Sequence, residues 1–394
     1  MSADGPDGTP TSSRRGAAGH RRVLVVGAGI AGLATARALA RHGMQYRLVE
    51  RRGRGSTAGL ALNLPGNAVA ALHTLGAADE VIAAGVPVAR REYRTAGGRL
   101  LFAVDEARFW SGSTPSVCAR HHVVVDALTA GVSVEHGMAV TSLAHRADTG
   151  VAVTFADGQQ DRFDFVVAAD GVRSTVRSAV APAAPRPSLM TAASWRFVTG
   201  EVGIDCWTAW TGRGRTFLLI PVATGQVYAY ASSSRGGDPG TDPTWLAEAF
   251  ADFPAPVTRA IDQALAAADP PYHSPVEEVR IPTWHHDRVA LIGDAAHATG
   301  PVWAQGAAMA MEDAIVLADL LAGTGDWSSV GSAWEQARRP RVEHVQVATD
   351  RLSRLAGLPP WLTHALAPVM GPRAYRATYR PLRTFPSANV PPRG

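Results

Sequence analysis

Three carboxylates in this chain, Glu50, Asp170 and Asp294, each close a short apolar run: RLVE, FVVAAD and VALIGD. An acid at the carboxyl end of a buried parallel strand stands where α/β sheets bind ligands. The first is preceded by Gly27, Gly29 and Gly32, spaced G-x-G-x-x-G, in RVLVVGAGIAGLATARALARHGMQYRLVERR. Gly27 permits a tight turn, Gly29 lets backbone approach a pyrophosphate, and Gly32 lets helix and strand pack closely. The helix start then offers free N–H groups and partial positive charge to phosphates. Glu50 follows Gly32 by eighteen residues, where a carboxylate accepts ribose hydroxyls. Strand, glycine turn, helix, second strand and acid together read as a dinucleotide site. It is built from Gly27, Ala28, Gly29, Ala31, Gly32, Glu50 and Arg51.

These groups need elements to hold them. Residues 22–52 read as a βαβ unit, 67–84 as helix with a glycine break, and 91–103 as a strand pair about Gly97-Gly98. His121 to Thr129 reads as a helix. Val132 to Asp170 reads as three strands with a hairpin turn at Asp157-Gly158. A Pro-rich crossing at 181–187 leads to an alternating, strand-like block at 190–235 and a helical 244–269. Val289 to Ile292 is again a buried strand; Ala304 to Leu321 and Ser332 to Leu355 are helices. The division expected is a tail at 1–20, disordered by its Gly, Ser, Pro and Asp content, and a discontinuous nucleotide-binding body at 21–180 and 281–356. A sheet-based domain at 181–280 is inserted, helped by part of 60–110, and an irregular segment, 357–394, follows. The fold class is α/β.

Composition narrows the rest. At 394 residues and 46% hydrophobic the chain can bury a large core. No apolar run reaches the ~18–20 residues of a bilayer span, so a soluble, cytoplasmic protein with no membrane partner is expected. A secretory leader, suggested by arginines before the apolar segment ending Ala38-Leu39-Ala40, is disfavoured by the three glycines and Arg37 inside it. Cys118 and Cys206 are far apart and lack metal spacing, so no disulfide framework or metal site is expected. All 38 basic residues are arginine, which excludes lysine Schiff-base chemistry and points to a GC-rich bacterial gene. The arginines are scattered among acids; the net charge of +4 suits anionic cofactors better than nucleic acid.

Two more segments complete a constellation: DFVVAADGVRSTVR (164–177) and RVALIGDAAHATGPVWAQGAAMAMEDA (288–314). With the first motif they resemble the FAD-dependent single-component aromatic hydroxylases, the para-hydroxybenzoate hydroxylase-like flavoprotein monooxygenases, over residues 22–356. The resemblance implies an FAD-binding Rossmann-like (GR2-type) domain, an inserted substrate sheet and a long C-terminal helix. It implies that the first motif and Glu50 hold the ADP half of FAD, that Arg120 reaches its phosphates and that Asp294 bonds the ribityl chain. It implies that Asp170 with Arg173 serves FAD and the entering nicotinamide cofactor. Pro301 would lie beside flavin C4a, and the helix from Gly306 and Ala307 would aim its positive end at the flavin N1–C2 edge. The sequence departs from the relatives' P-x-x-G-Q-G-x-N: Ala304 stands for a glycine and Ala308 for an asparagine, and Trp303 narrows the flavin loop. About 40 residues follow the long helix, too few for the thioredoxin-like domain of larger relatives. The pair Trp207 and Trp210 is not followed by Ile-Pro, which disfavours flavin halogenation.

The remaining candidates have plainer readings. His297 orders the loop after Asp294, His121-His122 and His285-His286 are surface or helix-start residues, and Met309 and Met311 pack. The substrate wall should come from the inserted sheet, from Trp195, Arg196, Phe217, Leu219 and Tyr228, together with Trp303; alternation gives two faces without saying which meets the flavin. The expected activity is an NADPH- or NADH-dependent, O2-using monooxygenation through a flavin C4a-hydroperoxide. It would hydroxylate or epoxidise a hydrophobic aromatic or polyene-like molecule in bacterial secondary metabolism or aromatic catabolism, with the enzyme a monomer or homodimer. Two rival readings are a flavin oxidase or dehydrogenase without oxygen insertion, and a non-catalytic FAD-binding protein.

Overall fold

The computed structural model describes residues 21–53, 60–146, 150–233, 240–356 and 358–385; the tail expected at 1–20 lies outside them. Val23, Leu24 and Val25 have no solvent exposure because their strand, Arg22–Val26, runs through the middle of a six-stranded sheet. Its order is His285–His286, Val289–Leu291, Phe165–Ala168, Arg22–Val26, Gln45–Glu50 and Glu135–His136. All neighbours are parallel except the His285–His286 edge. From Arg22–Val26 the chain moves one way to Gln45–Glu50 and returns on the other side as Phe165–Ala168, so the strand order reverses there. That reversal opens a crevice at the carboxyl ends. Glu50, Asp170 and Asp294 all lie at those ends.

The inserted sheet has seven strands: Tyr272–His273, Ala193–Thr199, Gln226–Ser233, Arg215–Ala223, Trp207–Gly212, Arg90–Thr95 and Leu100–Asp105. The hairpin read at 91–103 supplies its last two strands. Trp207–Gly212 joins Arg90–Thr95 in parallel while the other neighbours are antiparallel. One face is covered by helices Trp245–Ala249 and Ala255–Ala266, closing a core of Trp195, Phe217, Leu219 and Phe250. Helix His121–Thr129 matches the sequence reading. The segment after Val132 holds five described strands and not the three expected, because the three-stranded sheet Val140–Arg146, Gly150–Phe155 and Gln160–Phe163 lies in the chain between two strands of the parallel sheet, Glu135–His136 and Phe165–Ala168.

The end of the chain differs from expectation. Within 357–394, read as irregular from its prolines, Pro360–Tyr379 is a helix of 20 residues with Pro368 and Pro372 inside it. A proline costs a helix its N–H bond and adds a clash with the preceding turn. Packing offsets this: Tyr375 and Tyr379 are buried, and a Cβ on Gly371 would fall 2.3 Å from the Phe102 ring. The long helix before it, Val330–Ala356, was expected.

The turn 301–303 is a single 3-10 turn, closed by the Ala304 N–H donating to the Pro301 carbonyl at 3.0 Å. Ala304 has φ +51° and ψ +35°, the left-handed region that favours glycine. The alanine found where relatives carry glycine thus holds a glycine conformation. Ala304→Gly should therefore raise folding stability by about 0.5–1 kcal/mol, after allowing for glycine's looser unfolded chain. Denaturant midpoints of parent and variant check this; a lower midpoint for the variant would contradict it.

Candidate functional site at the carboxyl ends of the parallel sheet

Gly27 turns at φ +99°, and a Cβ there would lie 2.5 Å from the Ala169 carbonyl oxygen. Its N–H donates to the Val49 carbonyl at 2.8 Å, tying the turn to the Glu50 strand. A Cβ on Gly32 would fall 1.8 Å from the Gly27 oxygen. Gly29, by contrast, has no atom within 4 Å of its Cβ position, so the start of helix Ile30–Arg41 faces open space there. No side chain caps that helix, which leaves its first N–H groups to an incoming anion. The Glu50 carboxylate accepts from the Ala28 and Arg52 N–H groups, both at 2.9 Å. Arg51 is exposed beside it. Arg120 ends the strand Val117–Arg120 with its Nη1 buried and unpaired.

The second and third motifs meet the first. A Cβ on Gly293 would lie 3.1 Å from the Cβ atoms of both Ala31 and Ala310, so strand end, first helix and helix Gly306–Gly323 converge on one glycine. Asp170 accepts from the N–H groups of Thr175, 2.8 Å, and Val176, 3.3 Å, through Oδ2, while its Oδ1 is buried and unpaired. Arg173 turns away: its side chain is 70% exposed and faces Glu277 at 3.5 Å. The arginine that joins the motifs is Arg177, one turn later and buried. It donates to the carbonyls of Ala295, 2.9 Å, and Val172, 2.8 Å. Burial lowers its pKa, with Asp170 and Asp294 pulling the other way. Asp294 opens to solvent, but desolvation by the protein packed around it holds its carboxyl above the usual range against the pull of His297 and Arg177.

Beneath these loops lies a charged network that motif reading did not find. His297 Nε2 meets Asp313 Oδ2 at 2.6 Å, and the Gly293 N–H donates to the same oxygen at 3.0 Å. Arg338 donates to Asp313 at 2.8 Å and pairs with Glu312 at 3.0 Å; Arg341 grips Glu312 with two bonds, 2.7 and 2.8 Å. Glu312 accepts from Asn67 at 3.1 Å, and Asn67 and Gln305 exchange two bonds. Asp313, Glu312, Arg338 and Gln305 have no exposure. Burial alone would raise the Asp313 pKa, yet His297 and Arg338 hold it below the usual range. The sequence signal was the adjacent pair Glu312-Asp313 in an apolar stretch of its helix, answered by Arg338 and Arg341 on the next. The loop-ordering role read for His297 agrees with this bond.

The inserted sheet resolves its two faces. Trp195 stacks on Trp245 at 4.8 Å, Phe217 meets Phe250 edge-on at 5.2 Å, and Leu219 is fully buried. These three substrate-wall candidates pack into the helix-covered core. The opposite face carries Arg196, Tyr228 and Tyr230 with Leu218 and Ile220, because Arg196 and Leu218 both pair with Tyr230 across the strands. It packs toward Ala61, Val88 and Cys118 of the nucleotide-binding side. The Arg196 guanidinium lies 5.3 Å over the Tyr230 ring and donates to Ser274 at 2.7 Å. Burial pushes the Cys118 thiol up to about 12, and both cysteines are free.

Trp303 is buried, and Tyr379 of the last helix donates to its carbonyl at 2.6 Å, the rings 5.9 Å apart. Tyr375 donates to Glu106 at 2.6 Å, and Glu106 pairs with the buried Arg91 at 2.7 Å. Arg91 lies over the rings of Trp207, Tyr375 and Tyr379. Pro301 is exposed, and Gly306 has open space at its Cβ position with Ala307 half-buried behind it. An aromatic and arginine wall thus connects the inserted sheet to the 301–303 turn.

Residues 20–349 match the family model described as an FAD binding domain. The chain is 32% identical to a 2-heptyl-3-hydroxy-4(1H)-quinolone synthase of Mycobacteroides abscessus, covering 91% of this chain and 96% of that one. It is 31% identical to an FAD-dependent urate hydroxylase of Klebsiella pneumoniae, covering 82% and 87%. Among solved structures, Klebsiella pneumoniae HpxO in complex with FAD and uric acid superposes with a TM-score of 0.79 at 26% identity, covering 93% of each chain. The three motifs meet at one crevice, and these likenesses run the length of the chain that carries them. The chain belongs to the FAD-dependent aromatic hydroxylases, a family of flavin monooxygenases.

Proposed function

We propose that this enzyme uses NADPH or NADH and O2 to hydroxylate or epoxidise a hydrophobic, planar aromatic or polyene-like molecule in the cytoplasm. The observation that carries the reading is that Glu50, Asp170 and Asp294 all close strands at the carboxyl edge of the parallel sheet, on both sides of the strand that leads to Gly29, whose Cβ position is open. FAD fits that crevice. Open backbone at Gly29 and Gly306 leaves room for a close ligand, and buried Arg120 Nη1 and Asp170 Oδ1 lack partners the ligand can supply. In this reading Gly27, Ala28, Gly29, Ala31 and Gly32 cradle the pyrophosphate, Glu50 and Arg51 take the ADP end, and Arg120 takes a phosphate. Asp294 accepts a ribityl hydroxyl, and Asp170 faces the entering nicotinamide, with the exposed Arg173 reaching the cofactor only by leaving Glu277. Bound there, FAD supplies hydride acceptance and oxygen activation.

The protein's own part is binding, orientation and exclusion of water. The N-terminus of helix Gly306–Gly323 offers uncapped N–H groups to developing negative charge. Arg196, Tyr228 and Tyr230 give the substrate a flat aromatic face with one cation. The relatives' names fit such a face: a hydroxyquinolone, urate and, for a Streptomyces cremeus relative, an aminohydroxybenzoate are oxygen-bearing rings. Trp303, held by Tyr379, closes the reaction space beside Pro301.

Two measurements test this. Asp294→Ala should weaken FAD binding by about tenfold to a hundredfold, the worth of a hydrogen bond to a charged acceptor; titration of the apoprotein reads it, and unchanged affinity would remove Asp294 from the site. Tyr379→Phe keeps the ring but drops the bond to the Trp303 carbonyl. It should keep FAD and its reduction by NAD(P)H while releasing more hydrogen peroxide and less product per NAD(P)H across a panel of aromatics. Parental coupling would show that the last helix does not shape the reaction space.

A further inference from the structure

The outer surface of the last helix has no role in the reaction above. Its C-terminal half is anchored by Tyr375 and Tyr379, but its N-terminal half leaves Trp361 72% exposed, Val369 55%, Met370 51% and Leu366 44%. Leu355 and Leu358, on the approach to it, are also exposed. Seven of the twelve exposed large hydrophobics among the described residues fall between 352 and 370, a concentration in one stretch of chain. Charge is segregated with it. From Arg351 to Gly394 the sequence holds seven arginines and no aspartate or glutamate. Arg373 and Arg376 are exposed on the helix past Met370, and Arg380 is exposed just beyond its end.

We propose that helix Pro360–Tyr379 docks the enzyme on an anionic lipid surface. A helix that exposes large apolar groups and a tryptophan in its first half and arginines in its second can lay the former into the headgroup layer of such a bilayer while the latter meet its anionic lipids. Each arginine near that surface adds attraction. A second copy of this chain fits less well, because a two-fold contact sets arginines against arginines with no acid in the segment to answer them. No described helix is long and apolar enough to cross a membrane, so the contact is peripheral. The proposal amends the sequence expectation of no membrane partner and is independent of the reaction assigned above.

Co-sedimentation of the FAD-loaded enzyme with vesicles tests it, using phosphatidylcholine alone and phosphatidylcholine with about a third phosphatidylglycerol. The enzyme should bind the anionic vesicles at least about tenfold more tightly, and high salt should weaken this. Arg373→Gln with Arg376→Gln, both exposed, should lower anionic binding about tenfold or more while FAD content and melting temperature stay parental. Trp361→Ser with Val369→Ser should lower it as well. Equal partitioning to both vesicle types, or no effect of the arginine pair, would overturn the proposal. So would a dimer in light scattering that Trp361→Ser with Val369→Ser converts to monomer, since the patch would then be a contact between copies.

Discussion

Everything at the crevice depends on one close backbone crossing, where Gly32 lies against Gly27 and Gly27 against Ala169. A Cβ on Gly32 would sit 1.8 Å from the Gly27 oxygen, a distance no relaxation of a side chain could relieve. The crossing lets helix Ile30–Arg41 start directly over the central strand. It also pulls the strand end at Ala169 toward the same point. With Gly293 packed against Ala31 and Ala310, four chain segments come within reach of one ligand. Bulk at any of these contacts would separate the carboxylates that the three motifs deliver.

A second constraint is electrostatic and lies below the first. Asp313, Glu312 and Arg338 are fully buried, and removing one partner of a buried pair costs on the order of 3–5 kcal/mol because the other charge is stranded. Here each charge has several partners, and two of the bonds leave the network for the site: one to the Gly293 N–H and one through Asn67 to Gln305. The network therefore fixes the loop carrying Asp294 relative to the start of helix Gly306–Gly323. It is coupled to helix Val330–Ala356 through Arg338 and Arg341, so that long helix belongs to the site's framework.

The sequence displayed the crevice more clearly than its surroundings. Apolar runs ending in Glu50, Asp170 and Asp294 are local signals, and the parallel strands lie where those runs predict. The wall opposite is not local. Period-two alternation in Phe217–Leu219 and Tyr228–Tyr230 identifies two faces, but only packing against helices Trp245–Ala249 and Ala255–Ala266 decides which is core; Trp195, Phe217 and Leu219 fell on the core side. Arg173 and Arg177 share one motif, and burial alone separates the exposed one from the one that joins the loops. The last helix was hidden by Pro368 and Pro372, since its stability comes from Tyr375 and Tyr379 finding Glu106 and Trp303, residues far away in sequence. Arg91 and Glu106 carry no spacing signal, and their pairing depends on the fold.

The central claim, that the crevice and the wall opposite it serve oxygen insertion, is tested most directly by isotope. A substrate found by accelerated NAD(P)H oxidation would be turned over under 18O2 and the product weighed. The account predicts one 18O atom in each product molecule, with NAD(P)H consumed in step with product. An oxidised product without label, or hydrogen peroxide as the sole fate of the oxygen, would contradict it and favour a flavin oxidase.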